Sequence, residues 1–336
     1  MADAVPVICV AGAESLLGRE VIDVLATKSL PAHVKHAAAI EDEEKPGGII
    51  TVQEGEAVLL PTFSVADLAG SRVVLLAGAP ESAAQAVVLS QSVGDHPTLI
   101  DLTGALEDNP AARLRAPMAE SAREPAPIYV IAHPAAIVMA LFLKQLSKAG
   151  AIRRIVANIF EPVSERGKKG LDELRQQTVA LLSFQKLKQE VFDTQVSYNL
   201  LPRYGAEAAR PIEDVEAAVE RHLATLLSAE TTIPMPSLRV VHAPVFHGYS
   251  MSLWVEFEAR PDIGAVTSTL AEGGIDVRGK DTEAPSNTGV AGESGITMDA
   301  VTQDRNEPRA CWFWIVADNL RIAAENAVEV ARESLA

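Results

Sequence analysis

The sequence predicts a two-domain α/β protein, in which a parallel sheet covered by helices precedes an α+β domain. A chain of 336 residues is too long for one ordinary compact core. In the first third, short apolar segments alternate with helical patterns, which is typical of a parallel sheet with helices on its faces. After residue 133 the strands become longer and more β-branched, as in an α+β domain with a large mixed sheet.

The first domain is expected to span residues 1–132, with a terminal helix at 318–336 returning to it. A glycine-containing segment, Gly12 to Gly18, lies between its first strand and first helix, which gives a dinucleotide-binding architecture in outline. A hairpin is predicted from 49–52 and 57–60 around Glu54-Gly55. The other predicted elements are strands at 5–10, 34–40, 73–76, 98–102 and 128–131, and helices at 16–25 and 81–92.

The second domain is expected at residues 133–317. Its long apolar strands need a cover on both sheet faces, and in a homodimer a second subunit would supply one. Residues 281–295 are rich in Gly, Ser, Asn and Thr and predict a mobile loop. The predicted elements are strands at 152–160, 238–243, 250–259 and 312–316, and helices at 137–146, 171–182 and 215–227.

Composition excludes several classes of partner. The formal net charge of -16 opposes binding to nucleic acid and to anionic membrane surfaces. No apolar run approaches the roughly 20 residues that a membrane-spanning helix needs. The two cysteines, Cys9 and Cys311, lie in strand-like segments and are expected to be buried thiols in a reducing compartment. We therefore expect a cytoplasmic protein.

A turn at His133-Pro134-Ala135-Ala136 joins an apolar strand to an apolar helix. Such a turn places a side chain at a helix N-terminus, where unpaired N–H groups lower a thiol's pKa and bind a developing oxyanion. In this chain that side chain is the methyl group of Ala136. His133, His242 and His247 show no second ligand at a helical spacing, so no metal site is expected.

Five segments resemble the aspartate-semialdehyde dehydrogenase family. They are the turn at 133–136 and the stretches 159–171, 197–202, 241–250 and 314–321. The resemblance implies a Rossmann-type NAD(P)-binding domain and an α+β domain for dimerisation and catalysis, of the glyceraldehyde-3-phosphate dehydrogenase-like kind. It also implies that Ala136 stands at the position of the nucleophilic Cys, Tyr249 at that of the general base His, and Glu161 at that of a Gln.

The resemblance extends to the substrate and cofactor positions. Cations that hold the substrate phosphate in the family correspond to Glu107, to Glu216 and to the pair Ala300 and Thr302, so an anion should be repelled. Glu220 matches a carboxylate that contacts the substrate's amino group. The positions expected to bind a cofactor are Gly12, Ser15, Gly18, Glu41, Ala77, Gly78 and Asn319.

Two features of the cofactor loop weaken the expected binding. Ser15 replaces the middle Gly of the family's motif, and Glu14 adds a negative charge where phosphate would lie. The carboxylates that begin at Glu41 repel a 2′-phosphate, so weak NAD binding is expected and NADP is disfavoured. Equally consistent readings are a tight strand-to-helix turn without a ligand, and a solvated acidic loop at 41–44.

Three functions remain open on the sequence. The first is an aspartate-semialdehyde dehydrogenase-like protein that has lost catalysis and keeps its fold to bind a ligand or a protein partner. The second is an active NAD(P)-dependent semialdehyde dehydrogenase of amino-acid biosynthesis, with another nucleophile and a non-phosphorylated substrate. The third is a purely structural subunit that binds no small molecule, which Glu14 and Glu41 favour and the preserved Gly12 and Gly18 oppose.

Overall fold

The computed structural model describes residues 5–40, 49–53, 56–120 and 125–336. The chain divides into two compact units. The first unit comprises Met1–Ala132 and Ala323–Ala336, and the second unit is His133–Ile322. Within the described ranges, no helix is both long enough and apolar enough to cross a membrane. The Glu54-Gly55 turn and the acidic stretch 41–44, including Glu41, lie outside the described residues.

The first unit contains a six-stranded parallel sheet with the strand order β2-β1-β5-β6-β8-β7. Its central strands are buried on both faces and are accordingly continuous apolar runs. The sheet strands are β1 Val7–Ala11, β2 His33–Ala37, β5 Val73–Leu76, β6 Thr98–Asp101, β7 Ala112–Arg115 and β8 Ile128–Ile131. The predicted hairpin is β3 Ile49–Gln53 with β4 Glu56–Leu60, and the helices are α1 Leu16–Lys28, α2 Val65–Ala69 and α3 Pro80–Ser90.

A buried arginine attaches the end of the chain to the first unit. The guanidinium of Arg115, which is 1% exposed, donates to Glu120 and to Glu333, each at 2.7 Å. Glu333 lies in the terminal helix α8 Asn319–Leu335. The amide oxygen of Asn326, two turns earlier on the same face of α8, accepts a hydrogen bond from the backbone N–H of Met118 at 3.1 Å. These contacts explain why residues 323–336 belong to the first unit.

The second unit is built on a seven-stranded mixed sheet, with the order β10-β9-β11-β15-β13-β12 and β14 beside β15. The long strands β9, β11 and β15 are antiparallel neighbours, and β10 runs parallel to β9. The strands are β9 Ile152–Glu161, β10 Ser237–His242, β11 Tyr249–Phe257, β12 Asp276–Val277, β13 Thr297–Met298, β14 Thr302–Gln303 and β15 Ala310–Ala317. The helices are α4 Pro134–Leu146, α5 Gly167–Leu182, preceded by a 3-10 turn at Val163–Arg166, then α6 Ile212–Leu226 and α7 Ile263–Glu272.

One face of this sheet is open and aromatic. Trp312 and Trp314 are exposed, whereas the residues that alternate with them in β15 are buried. Trp254 is the cross-strand partner of Trp312 and therefore shares this face, so all three tryptophans of the chain lie on it. Asp304 Oδ2 accepts the indole N–H of both Trp254 and Trp312, at 2.9 and 2.8 Å. This carboxylate fixes the orientation of two large rings on an exposed surface.

A buried polar network holds a long irregular segment against α5. The carboxylate of Glu173 accepts backbone N–H groups of residues 190–192, at 2.7 to 3.3 Å. Gln177 accepts the N–H groups of Val196 and Ser197 and donates to carbonyl oxygens at positions 188 and 194. Two side chains one helical turn apart thus satisfy the backbone of a segment that has no regular secondary structure of its own.

The predicted fold class, a Rossmann-type parallel sheet followed by a mixed-sheet domain, is confirmed. The short elements α2, α7 and β12 to β14 and the edge strand β7 are absent from the sequence-based prediction. The loop at 281–295 is hydrogen-bonded to the rest of the unit at two internal positions. Asn287 donates to the carbonyl of Gly248 at 2.7 Å, and the N–H of Gly292 donates to Asp318 at 2.7 Å.

Candidate active site

The turn before α4 caps its own helix. His133 is the residue that precedes the first helical position, and its Nδ1 accepts the N–H of Ala135 at 3.3 Å. The backbone N–H of His133 donates to Nδ1 of His222, a buried residue of α6, at 2.7 Å. Ala136 is fully buried in the first turn. The N–H of Ala135 is therefore engaged by the cap, and the side chain at position 136 carries no reactive atom.

His133 and Tyr249 bring buried polar atoms close together. Because Nδ1 of His133 accepts a hydrogen bond, its neutral ring carries the proton on Nε2. The two rings have centroids 5.8 Å apart, and neither His133 Nε2 nor the Tyr249 hydroxyl has a hydrogen-bond partner in the part of the chain that the structure describes. Burial lowers the pKa of His133 well below its usual value and raises that of Tyr249 well above.

Glu161 is locked in a buried ion pair. One carboxylate oxygen accepts from the guanidinium of Arg166 and the other from the hydroxyl of Tyr204, both at 2.9 Å. The Arg166 guanidinium also lies over the Tyr204 ring, 5.3 Å from its centroid. The Tyr204 hydroxyl is 3.2 Å from Nδ1 of His242. Both oxygens of Glu161 therefore have partners within the protein, and its charge is compensated.

Asn319 joins three segments of the same unit. Its amide oxygen accepts the N–H of Gly248 at 3.0 Å, and its amide nitrogen donates to Glu165 at 2.9 Å and to Ser164 at 3.1 Å. The sequence predicts Asn319 as a cofactor contact, and the structure shows its carboxamide engaged in internal bonds. Burial, the first cause, and the nearby carboxylate of Glu161 raise the pKa of Glu165. Sequence reasoning missed Glu165 and Arg166 as members of this cluster.

The predicted substrate positions are Glu216 and Glu220 on α6, Ala300 and Thr302 at β14, and Glu107 in the first unit. Glu216 accepts the N–H of Val240 at 2.9 Å and pairs with Arg239 at 3.1 Å, so it fastens α6 to β10. Glu220 is exposed on α6, and Glu107, in the first unit, is half-buried. Thr302 donates to the carbonyl of Ala300 at 3.3 Å. Substrate contacts at these positions stay predictions.

Gly12, Gly18 and Gly78 of the first unit allow segments of the chain to pack closely. Gly12 has φ +86°, and a Cβ on it would lie 2.3 Å from the backbone nitrogen of Gly78. A Cβ on Gly18 would lie 2.1 Å from the carbonyl oxygen of Gly12. Ser15 caps α1, since its hydroxyl oxygen accepts the N–H of Gly18 at 2.8 Å and its proton goes to the carbonyl of Ala77 at 2.7 Å. The fold alone therefore requires Gly12, Gly18 and Gly78.

The described residues offer neither a replacement thiol nor a metal site. Burial raises the pKa of Cys9 to about 12 and that of Cys311 to about 11, so both thiols stay protonated at neutral pH. Within the described ranges, no group of three or more His, Cys, Asp or Glu side chains could hold a metal ion.

A doubly wound parallel sheet, a mixed-sheet unit and a turn at a helix N-terminus together define a dehydrogenase-like protein. The model of the semialdehyde dehydrogenase dimerisation domain matches residues 143–322, which is more than half of the chain. The chain therefore belongs to the semialdehyde dehydrogenase family.

Relatives in this family match nearly the whole chain. An aspartate-semialdehyde dehydrogenase of Rickettsia bellii (strain RML369-C) is 28% identical over 97% of this chain and 96% of its own. A USG-1 protein homolog of Pseudomonas aeruginosa is 28% identical over 96% of this chain and 95% of its own. The solved structure of a probable aspartate-semialdehyde dehydrogenase from Pseudomonas aeruginosa is 26% identical, covers 99% of both chains and has a TM-score of 0.83.

Proposed function

We propose that this chain is an aspartate-semialdehyde dehydrogenase-like protein without the dehydrogenase reaction, which keeps the fold to bind a ligand or a protein partner. The observation that carries the proposal is the buried methyl group of Ala136 at the start of α4. The family resemblance implies a nucleophilic thiol at this position. Alanine has no nucleophilic atom in its side chain, so it cannot form a covalent bond to an aldehyde.

The neighbouring groups support the same conclusion. A general base must be able to accept a proton near neutral pH. The pKa of Tyr249 is raised by burial and by the carboxylates of Glu165 and Glu161, so its hydroxyl stays protonated. Both oxygens of Glu161 accept hydrogen bonds from Arg166 and Tyr204 and are not available to a substrate. Nucleophile and base are therefore both missing from the positions that the resemblance assigns to them.

Different features of the chain support the proposals on its cofactor, its oligomeric state and its cellular location. Ser15 puts a side chain where the family's motif has its middle glycine, which supports weak binding of NAD. The carboxylates of the sequence at 41–44 support still weaker binding of NADP. The open aromatic face of the second unit, together with the matched dimerisation domain, supports a homodimer. Two buried, unpaired thiols suit the cytoplasm.

The decisive experiment is the phosphate-dependent oxidation of aspartate semialdehyde, measured as NADPH or NADH formation. We expect no turnover above the uncatalysed rate with either cofactor. Tyr249→Phe is assayed beside Tyr198→Phe, which alters an exposed tyrosine of the same unit. The proposal would be disproved if the unmodified protein turned over aspartate semialdehyde, and if this turnover were abolished in Tyr249→Phe and kept in Tyr198→Phe.

One observation favours the alternative of an active enzyme with another substrate. His133 Nε2 and the Tyr249 hydroxyl both carry protons and lack partners among the described residues, which suits hydrogen-bond donation to a carbonyl oxygen. NAD-dependent oxidation of non-phosphorylated aldehydes, without added phosphate, tests this alternative. Turnover that is lost in Tyr249→Phe would support it.

A further inference from the structure

The side chain of Glu14 is hydrogen-bonded to the backbone at the carboxyl end of the parallel sheet, where a dinucleotide binds in doubly wound folds. The residue lies in the loop between β1 and α1 and is half-buried. Its carboxylate accepts the backbone N–H of Ala39, two residues beyond the end of β2, at 3.1 Å from Oε1 and 3.3 Å from Oε2. In doubly wound folds the carboxyl end of the second strand receives the adenosine ribose of the dinucleotide.

Ser15 fills the adjoining position in the same way. Dinucleotides place their pyrophosphate on the N–H groups at the N-terminus of the first helix. Here the hydroxyl oxygen of Ser15 accepts the N–H of Gly18, and the hydroxyl proton is donated to the carbonyl of Ala77. The side chain of Ser15 therefore bonds backbone groups where the pyrophosphate of a dinucleotide would bind. The side chain of Glu14 does the same where the ribose would bind.

The backbone narrows the same crevice. The N–H groups of Gly12 and Ala13 both donate to the carbonyl of Ala37, at 2.9 and 3.0 Å. A Cβ on Gly78 would lie 2.7 Å from the Cβ of Ala39. The segments that follow β1, β2 and β5 thus contact one another directly. The side chains of Glu14 and Ser15 bond to two of these segments, at Ala39 and at Ala77.

We propose that Glu14 and Ser15 form an intramolecular plug that competes with dinucleotides for this crevice and weakens their binding. A dinucleotide must displace the carboxylate from Ala39 and then bind its phosphates beside the displaced negative charge. The plug thus acts both by occupancy and by repulsion. The inference rests on the proposed function, since it names the residues responsible for weak cofactor binding.

Substitutions at the two positions test the plug. Glu14→Ala frees the N–H of Ala39, Ser15→Gly restores the middle glycine of the motif, and the double variant combines them. Titration calorimetry with NAD should show binding by the double variant at least about tenfold tighter than by the unmodified protein, since a charge-assisted hydrogen bond and one repulsion are exchanged. Glu14→Gln keeps the shape but removes the charge, so it should give a smaller gain than Glu14→Ala.

Asp95→Ala is the matched control, because Asp95 is exposed in the same unit and its removal changes the net charge equally. It should leave the affinity for NAD unchanged. Circular dichroism confirms that each variant is folded, since glycine in place of a serine cap costs only a few tenths of a kcal/mol. The plug is refuted if the folded double variant gains no affinity, or if Asp95→Ala gains as much as Glu14→Ala.

The two proposals fail separately. Turnover of aspartate semialdehyde by the unmodified protein would overturn the proposed function, whatever the plug variants bind. Absence of turnover together with unchanged NAD affinity in the double variant would overturn the plug alone.

Discussion

Nε2 of His133 and Oε2 of Glu165 lie 3.7 Å apart in the interior of the second unit. Burial lowers the pKa of the histidine and raises that of the glutamate, so both shifts oppose an ion pair. At 3.7 Å the two atoms are also too far apart for a direct hydrogen bond. The turn that would carry the nucleophile therefore adjoins polar groups that are held away from their charged forms.

Restoring the nucleophile alone should not restore the reaction. In Ala136→Cys the new thiol would lie at the start of α4, where His133 Nδ1 already accepts the N–H of Ala135. No base would be present, since Tyr249 stays protonated. We expect no NADPH formation above that of Ala136→Ser, because a missing base alone costs about two to four powers of ten. Phosphate-dependent turnover by Ala136→Cys would show that the other groups suffice.

Buried His242 should make folding sensitive to mild acid. Burial, and then the nearby charge of Arg166, lower its pKa from 6.5 to about 4. Between these values the unfolded chain binds a proton that the folded chain rejects, so stability falls as the pH falls. Between pH 7 and pH 5 the contribution lost is about 2 kcal/mol.

Urea titrations at both pH values check this expectation. The unmodified protein should lose more stability on acidification than His242→Asn, and the same amount as His96→Asn, which alters an exposed histidine. Equal losses in the unmodified protein and in His242→Asn would contradict the assignment.

The open sheet face of the second unit should mediate dimerisation. We expect sedimentation at micromolar concentration to give a mass near twice 35.7 kDa, with or without NAD. Trp314→Arg places a charge beside Phe160, whose ring centroid is 5.8 Å from that of Trp314, and should yield monomers. Val88→Arg, on an exposed position of α3, should remain dimeric. A monomeric unmodified protein would disprove the interface.

Arg115 should be among the most costly side chains to remove from the first unit. Arg115→Ala leaves the carboxylate of Glu120 buried without its guanidinium, and a broken buried pair costs about 3–5 kcal/mol. Arg332→Ala removes an exposed arginine that pairs with Glu329, and should cost far less, because exposed ion pairs contribute little to stability. Guanidinium denaturation compares the two variants. Similar losses would mean that the Arg115 pair is not critical to folding.

Elements with strong apolar periodicity are predictable from this sequence. The strand Val73–Leu76 agrees residue for residue, because a short apolar run between Arg72 and the turn signals Gly78 and Pro80 favours a buried strand. Strand β7 was not predictable in this way, since Arg113 and Arg115 interrupt its apolar pattern. Arg115 is buried where it pairs with Glu120 and with Glu333, and Glu333 comes from 218 positions further along the chain.

Some residues of the site are likewise predictable from the sequence, and others are not. The methyl group at Ala136 and the phenol at Tyr249 could be read from the segments around them. The pairing of Glu161 with Arg166 was also within reach, since the residues are five positions apart. Tyr204 could not be assigned to this pair, because its hydroxyl reaches Glu161 through an irregular segment whose path no local pattern specifies. Outside the site, the start of α7 was also predictable, because Asp262 is a residue type that caps helices and its carboxylate caps this one.

The polar network of Glu173 and Gln177 ties an irregular segment to a helix. Residues 188–197 receive most of their anchoring hydrogen bonds from these two side chains of α5. The segment cannot open while the helix keeps both side chains in place, and the helix cannot unwind without exposing backbone groups of the segment. The two therefore form one cooperative unit, whose amides should share one free energy of opening in hydrogen–deuterium exchange.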